Sequence, residues 1–215
     1  MAFRYIALKT DMIHSRALHE RDKIQELFFA AADRINTDFG SCFESGFIIT
    51  HGDEAQALIR REAAASVYPI IESLVEMMKP VELRFGLGWG TLSTKMQKMA
   101  IGMDGEAWQN AKEAIDIARK SRRWVCFRGF SFEMQKGLES LANLLLFIHG
   151  HWTPEQLQAI GPIRTGQTQA TIAKTLHVTE AAISKRLSAA GWREYQDGRE
   201  ALQELMTKVV LTLES

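Results

Sequence analysis

Cysteine is scarce. The 215 residues hold two, Cys42 and Cys126, each inside an apolar stretch. Two such positions build neither a disulfide framework nor a cysteine metal site, and a reducing cytoplasm is the expected compartment. Charge of one sign is lacking as well: 26 Lys and Arg are met by 26 Asp and Glu. With no bulk basic field to draw in nucleic acid, any DNA contact must be local and geometric. Long hydrophobic runs are missing too. Runs such as Leu144 to Ile148 fall far short of the roughly 20 residues a membrane span needs. At the N-terminus, Asp11 interrupts the chain before a signal-peptide core can form. These absences predict a soluble cytoplasmic protein with no membrane partner. Hydrophobic residues at 46% and charged residues at 24% are ordinary globular proportions, and the length suits one medium and one small domain.

The periodicities give an order of elements. Phe3 to Leu8 is short, aromatic and apolar, as a buried strand is. Ile24, Leu27, Phe28, Ala31 and Ile35 recur at three- and four-residue steps along one helical face. Phe47 to Thr50 and Ala55 to Ile59 read as two strands joined by the tight turn His51-Gly52-Asp53-Glu54. A helical stripe from Val67 to Met78 stops before Pro80. Val81 to Leu87 is a further strand, followed by Gly88 and Gly90, where the backbone is free to approach a neighbouring strand or a ligand closely. Ala107, Trp108, Ala111, Ala114, Ile115 and Ala118 mark another helix, and Trp124 to Phe127 a last strand. This order predicts an α+β, ferredoxin-like domain with helices on one face of a mainly antiparallel sheet. A helix from Ser131 to His149 is expected to stop at Gly150 as a C′ residue. Thr153-Pro154-Glu155-Gln156 then opens a new helix with a capping box. The predicted domains are therefore 1–150 and 151–215, the second all-α.

Asp11 ends the first strand and Asp53 sits at the hairpin tip. Neighbouring strands at the sheet centre would let the two carboxylates converge on Mg2+, with triphosphate oxygens completing its shell. A strand-end cap and ordinary turn chemistry explain the same residues without a ligand.

The segment Thr10-Asp11-Met12-Ile13-His14-Ser15-Arg16, the turn Gly52-Asp53-Glu54 and the blocks Leu83 to Gly88 and Gly105 to Trp108 resemble the successive motifs of class III nucleotidyl cyclases. Gly52-Asp53-Glu54 also resembles the hairpin of diguanylate cyclases. Over nearly its full length the chain resembles the SatD family. The cyclase resemblance implies a palm-like fold, with Asp11 and Asp53 as metal ligands and Met12, Ser15, Arg16 and Gly52 against a nucleotide. Cyclases also place an Asn and an Arg on the helix after the glycine block. The matching positions here are Gln109 and Glu113, and an anion beside a triphosphate opposes the charge stabilisation that phosphoryl transfer requires.

Gln169 to Leu187 resembles the helix-turn-helix of response regulators and sigma factors. Ile172, Leu176, Val178, Ile183 and Leu187 are apolar where two short crossing helices share a core, and Ala173 is small where they come close. The turn position usually filled by Gly is His177, which implies a left-handed backbone at a non-glycine residue. In a major groove, Glu180, Ala181, Ser184, Lys185 and Ser188 would face base edges, with Gln169 and Thr179 toward phosphates. Residues 151–215 carry seven basic and seven acidic side chains, so nonspecific affinity would be weak. The apolar positions Ala201, Leu202, Leu205, Val209 and Leu213 offer a stripe for a homodimer or for the domain's own core. The sequence thus predicts a DNA-binding regulator with a nucleotide- or Mg2+-sensing N-terminal domain. A Mg2+-dependent nucleotidyl cyclase or nucleotidyltransferase with a DNA-targeting C-terminal domain is the alternative.

Overall fold

The computed structural model describes residues 3–14 and 20–212, with side chains to 210. Contacts divide the chain into two compact units, residues 1–143 with 202–215, and residues 144–201. The second unit is thus inserted into the first. The break falls earlier than Gly150 and the chain returns at residue 202.

In the first unit the elements run β1 (Arg4–Met12), α1 (Arg21–Phe39), β2 (Phe43–His51), β3 (Glu54–Ile59), α2 (Val67–Met77), β4 (Leu83–Thr91), α3 (Glu106–Ser121) and β5 (Val125–Arg128). The sheet order is β2-β3-β1-β4-β5, and only the β4–β5 pair is parallel. The first four strands have the predicted ferredoxin-like order, and α3 supplies the crossover that a parallel pair needs. The prediction of helices on one face requires correction. Ile6, Ala7 and Leu8 are consecutive along β1 and all fully buried. Successive strand side chains point to opposite faces, so both faces of the sheet are covered. Ala7 packs with Leu58, Ala107, Trp108 and Ala111 on the α3 face, while Leu87 and Trp89 are buried on the opposite one.

The glycines of β4 fix how closely α3 lies. A Cβ at Gly88 would fall 2.2 Å from the Ala107 carbonyl oxygen, and one at Gly86 2.4 Å from the Ile115 nitrogen. What these glycines admit is therefore a helix backbone, not the neighbouring strand or ligand expected. The edge of β2 is covered by the chain between β4 and α3, through Gly46 N–H to Lys98 O at 3.2 Å and a hydrogen bond from the Ser45 hydroxyl to Gln97 O. Such cover removes an open edge that would otherwise pair with other chains.

The remaining helices are α4 (Phe132–Gly150), α5 (Pro154–Arg164), α6 (Gln169–Thr175), α7 (Glu180–Ala189) and α8 (Trp192–Thr212). By connectivity α4 and α8 each belong to both units. Gly150 is the last helical residue of α4 rather than a left-handed stop after it. Within the second unit, Thr153 makes the predicted capping box with Gln156, and Thr168 and Thr179 cap α6 and α7. His177 takes φ 54°. Val178 N–H reaches back to Ala173 O at 3.0 Å and His177 N–H to Lys174 O at 3.3 Å. That pair of bonds is a Schellman ending, which satisfies the last carbonyls of α6. Among the described residues no helix is long and apolar enough to cross a membrane.

Candidate functional site

Asp11 lies near the end of β1, directly across from Glu54 on β3 and Arg84 on β4. Directly paired residues in an antiparallel sheet project from the same face. All three therefore sit on the face that α3 covers. Where the glycines of β4 give way to Arg84, side chains fill the space between sheet and helix. Arg84 Nη1 donates to both Asp11 oxygens, at 3.1 and 3.4 Å. Arg119, from the last turns of α3, donates through Nη2 to Asp11 Oδ2 at 2.6 Å. The Asp11 residue is only 3% exposed, whereas the Arg119 side chain is 50% exposed. The hydrogen bond to Asp11 raises the Arg119 pKa above the ordinary arginine value.

Beside this cluster a cleft of about 310 Å³ opens, lined by Lys9, Thr50, Glu54, Lys112, Asp116 and Arg119 among others. Lys112, Asp116 and Arg119 recur at four- and three-residue steps, so they share one face of α3. Lys9 Nζ donates to Gln56 Oε1 at 2.7 Å and lies 5.8 Å from the Trp108 ring. Burial lowers its pKa below the usual lysine range, and Lys112 adds to this against the pull of Glu54 and Asp116. Counted with Arg84, the cleft and its wall bring four cations together with three carboxylates.

A divalent cation does not fit this arrangement. Both oxygens of Asp11 are taken by guanidinium groups. Among the described residues no three His, Cys, Asp or Glu side chains gather as a metal site. A doubly charged ion about 4 Å from either guanidinium would meet a repulsion of about 8 kcal/mol at an effective dielectric constant of about 20. Asp53 is not the residue facing Asp11; Glu54 is. Asp53 contributes its carbonyl to the Met12 N–H at 3.0 Å. Gly52 is exposed at the turn, and Met12 is buried. Ser15 and Arg16 lie outside the described residues.

On α3 the positions matched to the cyclase Asn and Arg hold Gln109 and Glu113. Glu113 pairs with Arg128 at 3.3 Å, and the Asn110 amide donates to Trp89 O at 2.8 Å. Cys126 offers no nucleophile: burial pushes its thiol up to about 11.

The SatD family model matches residues 5–206. The chain belongs to the SatD family. Among curated proteins none matches it. Solved structures similar to this SatD-family chain include a bacterial light-regulated adenylyl cyclase, 15% identical, covering 59% of this chain and 76% of that one with a TM-score of 0.47. A dimeric guanylyl cyclase domain from Blastocladiella emersonii is 14% identical, covering 53% and 74% with a TM-score of 0.41. The guanylate cyclase domain from Catenaria anguillulae, solved with GTP, is 13% identical, covering 54% and 73% with a TM-score of 0.42.

In the second unit of this family member, Thr179, Glu180, Ala181, Ser184, Lys185 and Ser188 are exposed, and Gln169 is half-buried. Ile172, Ile183 and Leu187 are buried in that unit. Thr179 spends its hydroxyl on the Ala182 N–H at 3.2 Å. The site residues that sequence reasoning did not select are Lys9, Arg84, Lys112 and Arg119. Two signals for them exist: Arg84 is the one charged residue in step with the β4 glycines, and Lys112, Asp116 and Arg119 form a charged helical stripe.

Proposed function

We propose that the protein binds the phosphates of a nucleotide in the cleft between β1 and α3, and that it does so without cyclising the ligand. The observation that carries this reading is the convergence of Lys9, Lys112 and Arg119 on one cleft, with Arg119 oriented by Asp11. Guanidinium and ammonium groups are the protein's usual phosphate donors, and an arginine held by a carboxylate loses less freedom when it binds. Gln109 and Glu113 at the positions where cyclases carry an Asn and an Arg, with the Asn110 amide spent on Trp89 O, speak against turnover. The test is equilibrium titration of the full chain with ATP, GTP, CTP and UTP, followed by chromatography for cyclic or pyrophosphate products. At least one nucleotide is expected to bind and to be recovered intact, and Lys112→Ala is expected to weaken binding several-fold. A cyclic product that disappears in Asp53→Ala would replace this reading with the cyclase one.

A second reading, DNA contact by α7, is favoured by one observation: its N-terminal polar side chains are exposed while its apolar ones are buried. A helix of that kind, capped at Thr179, is suited to a major groove. On this reading the protein is a transcriptional regulator that a nucleotide addresses.

A further inference from the structure

The carboxylate to which the cyclase resemblance assigns a metal is held by two arginines. We infer that Arg119, backed by Arg84, does the work of that metal: the cleft takes a nucleotide polyphosphate directly on cationic side chains, with no divalent ion between protein and ligand. This rests on the nucleotide reading above and deepens it.

Charge balance supplies the first reason. Lys9, Arg84, Lys112 and Arg119 outnumber Asp11, Glu54 and Asp116. A divalent cation would add to the excess, whereas a polyphosphate offsets it. Geometry supplies the second. Arg119 is anchored on Asp11 through Nη2 at 2.6 Å, while its contacts to Asp116 at 3.5 Å and Glu54 at 4.0 Å are long. Half of its side chain remains exposed. A guanidinium has five N–H donors, so one anchored on Asp11 retains others for phosphate oxygens. Lys112 is exposed on the same helix face and forms no ion pair with the described residues. It is placed to take a second phosphate group. Asp11 acts here as a positioning residue: it turns Arg119 into the cleft and touches no ligand.

The experiment titrates the full-length protein with ATP and with GTP, once in excess EDTA and once in excess Mg2+. The expected result is a Kd that agrees between the two conditions within about twofold. Arg119→Gln is expected to weaken binding about tenfold or more in both conditions. Should Arg119→Gln fail to fold, Lys112→Gln, on an exposed position, is expected to weaken binding several-fold in EDTA. Binding seen only with Mg2+ overturns this inference and leaves the nucleotide reading standing. Binding that Arg119→Gln or Lys112→Gln leaves intact also overturns it. Absence of binding in both conditions overturns both.

Discussion

At the scale of single residues, the fate of Asp11 decides the character of the N-terminal unit. Its carboxylate accepts from Arg84 and Arg119. The Arg84 side chain is only 12% exposed. Breaking a buried pair by removing one partner costs about 3–5 kcal/mol, because the charge left behind has no water to turn to. Arg119 is half exposed and can swing outward, which places the expected loss for Asp11→Ala near the lower end, about 3 kcal/mol. Urea unfolding followed by circular dichroism measures this; a midpoint equal to the parent protein would mean that the pair contributes nothing. The carboxylates at positions 11 and 53 were legible in the sequence. Their partners were not, because Arg119 stands 108 positions from Asp11 and no local pattern fixes a pairing over that span. Strand register and helix placement had to be known first.

At the scale of elements, the sequence reading succeeded where local chemistry is decisive. The threonine caps before Pro154 and Glu180 are local devices, as is the left-handed turn at His177. Each depends on residues within a few positions and follows from rules that hold in any context. The close approach at the β4 glycines was legible, but its partner α3 was not, since glycine reports proximity without naming the neighbour. The cover on both sheet faces was missed for a related reason: strands whose two sides are both buried lose the alternation that would reveal them. For α7 the elemental prediction concerns DNA. Full-length protein incubated with a random-sequence duplex pool should retain and enrich a subset at low salt. Lys185→Ala, at an exposed position, should reduce retention by about tenfold without moving the melting temperature. If the parent protein retains no duplex at any salt, α7 is not a DNA-contact helix.

At the scale of the whole molecule, the chain leaves its first compact unit after Asn143 and rejoins it at Leu202. Leu202, Met206, Val209 and Val210 are buried and belong to that unit, and Gln203 donates to Ala65 O at 3.1 Å. A fragment of residues 1–150 lacks all of them. Each buried aliphatic side chain is worth about 1.5–3 kcal/mol, so the deficit is comparable with the whole stability of a typical domain. The fragment is expected to unfold at a far lower urea concentration than the full chain, or to be unfolded without denaturant. An equal midpoint would show that the two segments fold independently. The sequence suggested a cut at Gly150 because one helix was expected to stop there and a capped one to open at Thr153. The return of the C-terminal stripe to the first unit leaves no compositional mark, although its apolar spacing was visible.

The glycine tract of β4 has a consequence for how such a protein can diversify. Because Gly86, Gly88 and Gly90 press against backbone atoms of α3, almost any side chain introduced there forces the helix off the sheet. The spacing of sheet and helix beside the cleft is therefore closed to gradual change. On the nucleotide reading, ligand preference is then set by cleft residues such as Lys112 and Asp116, whose replacement leaves the spacing beneath them the same.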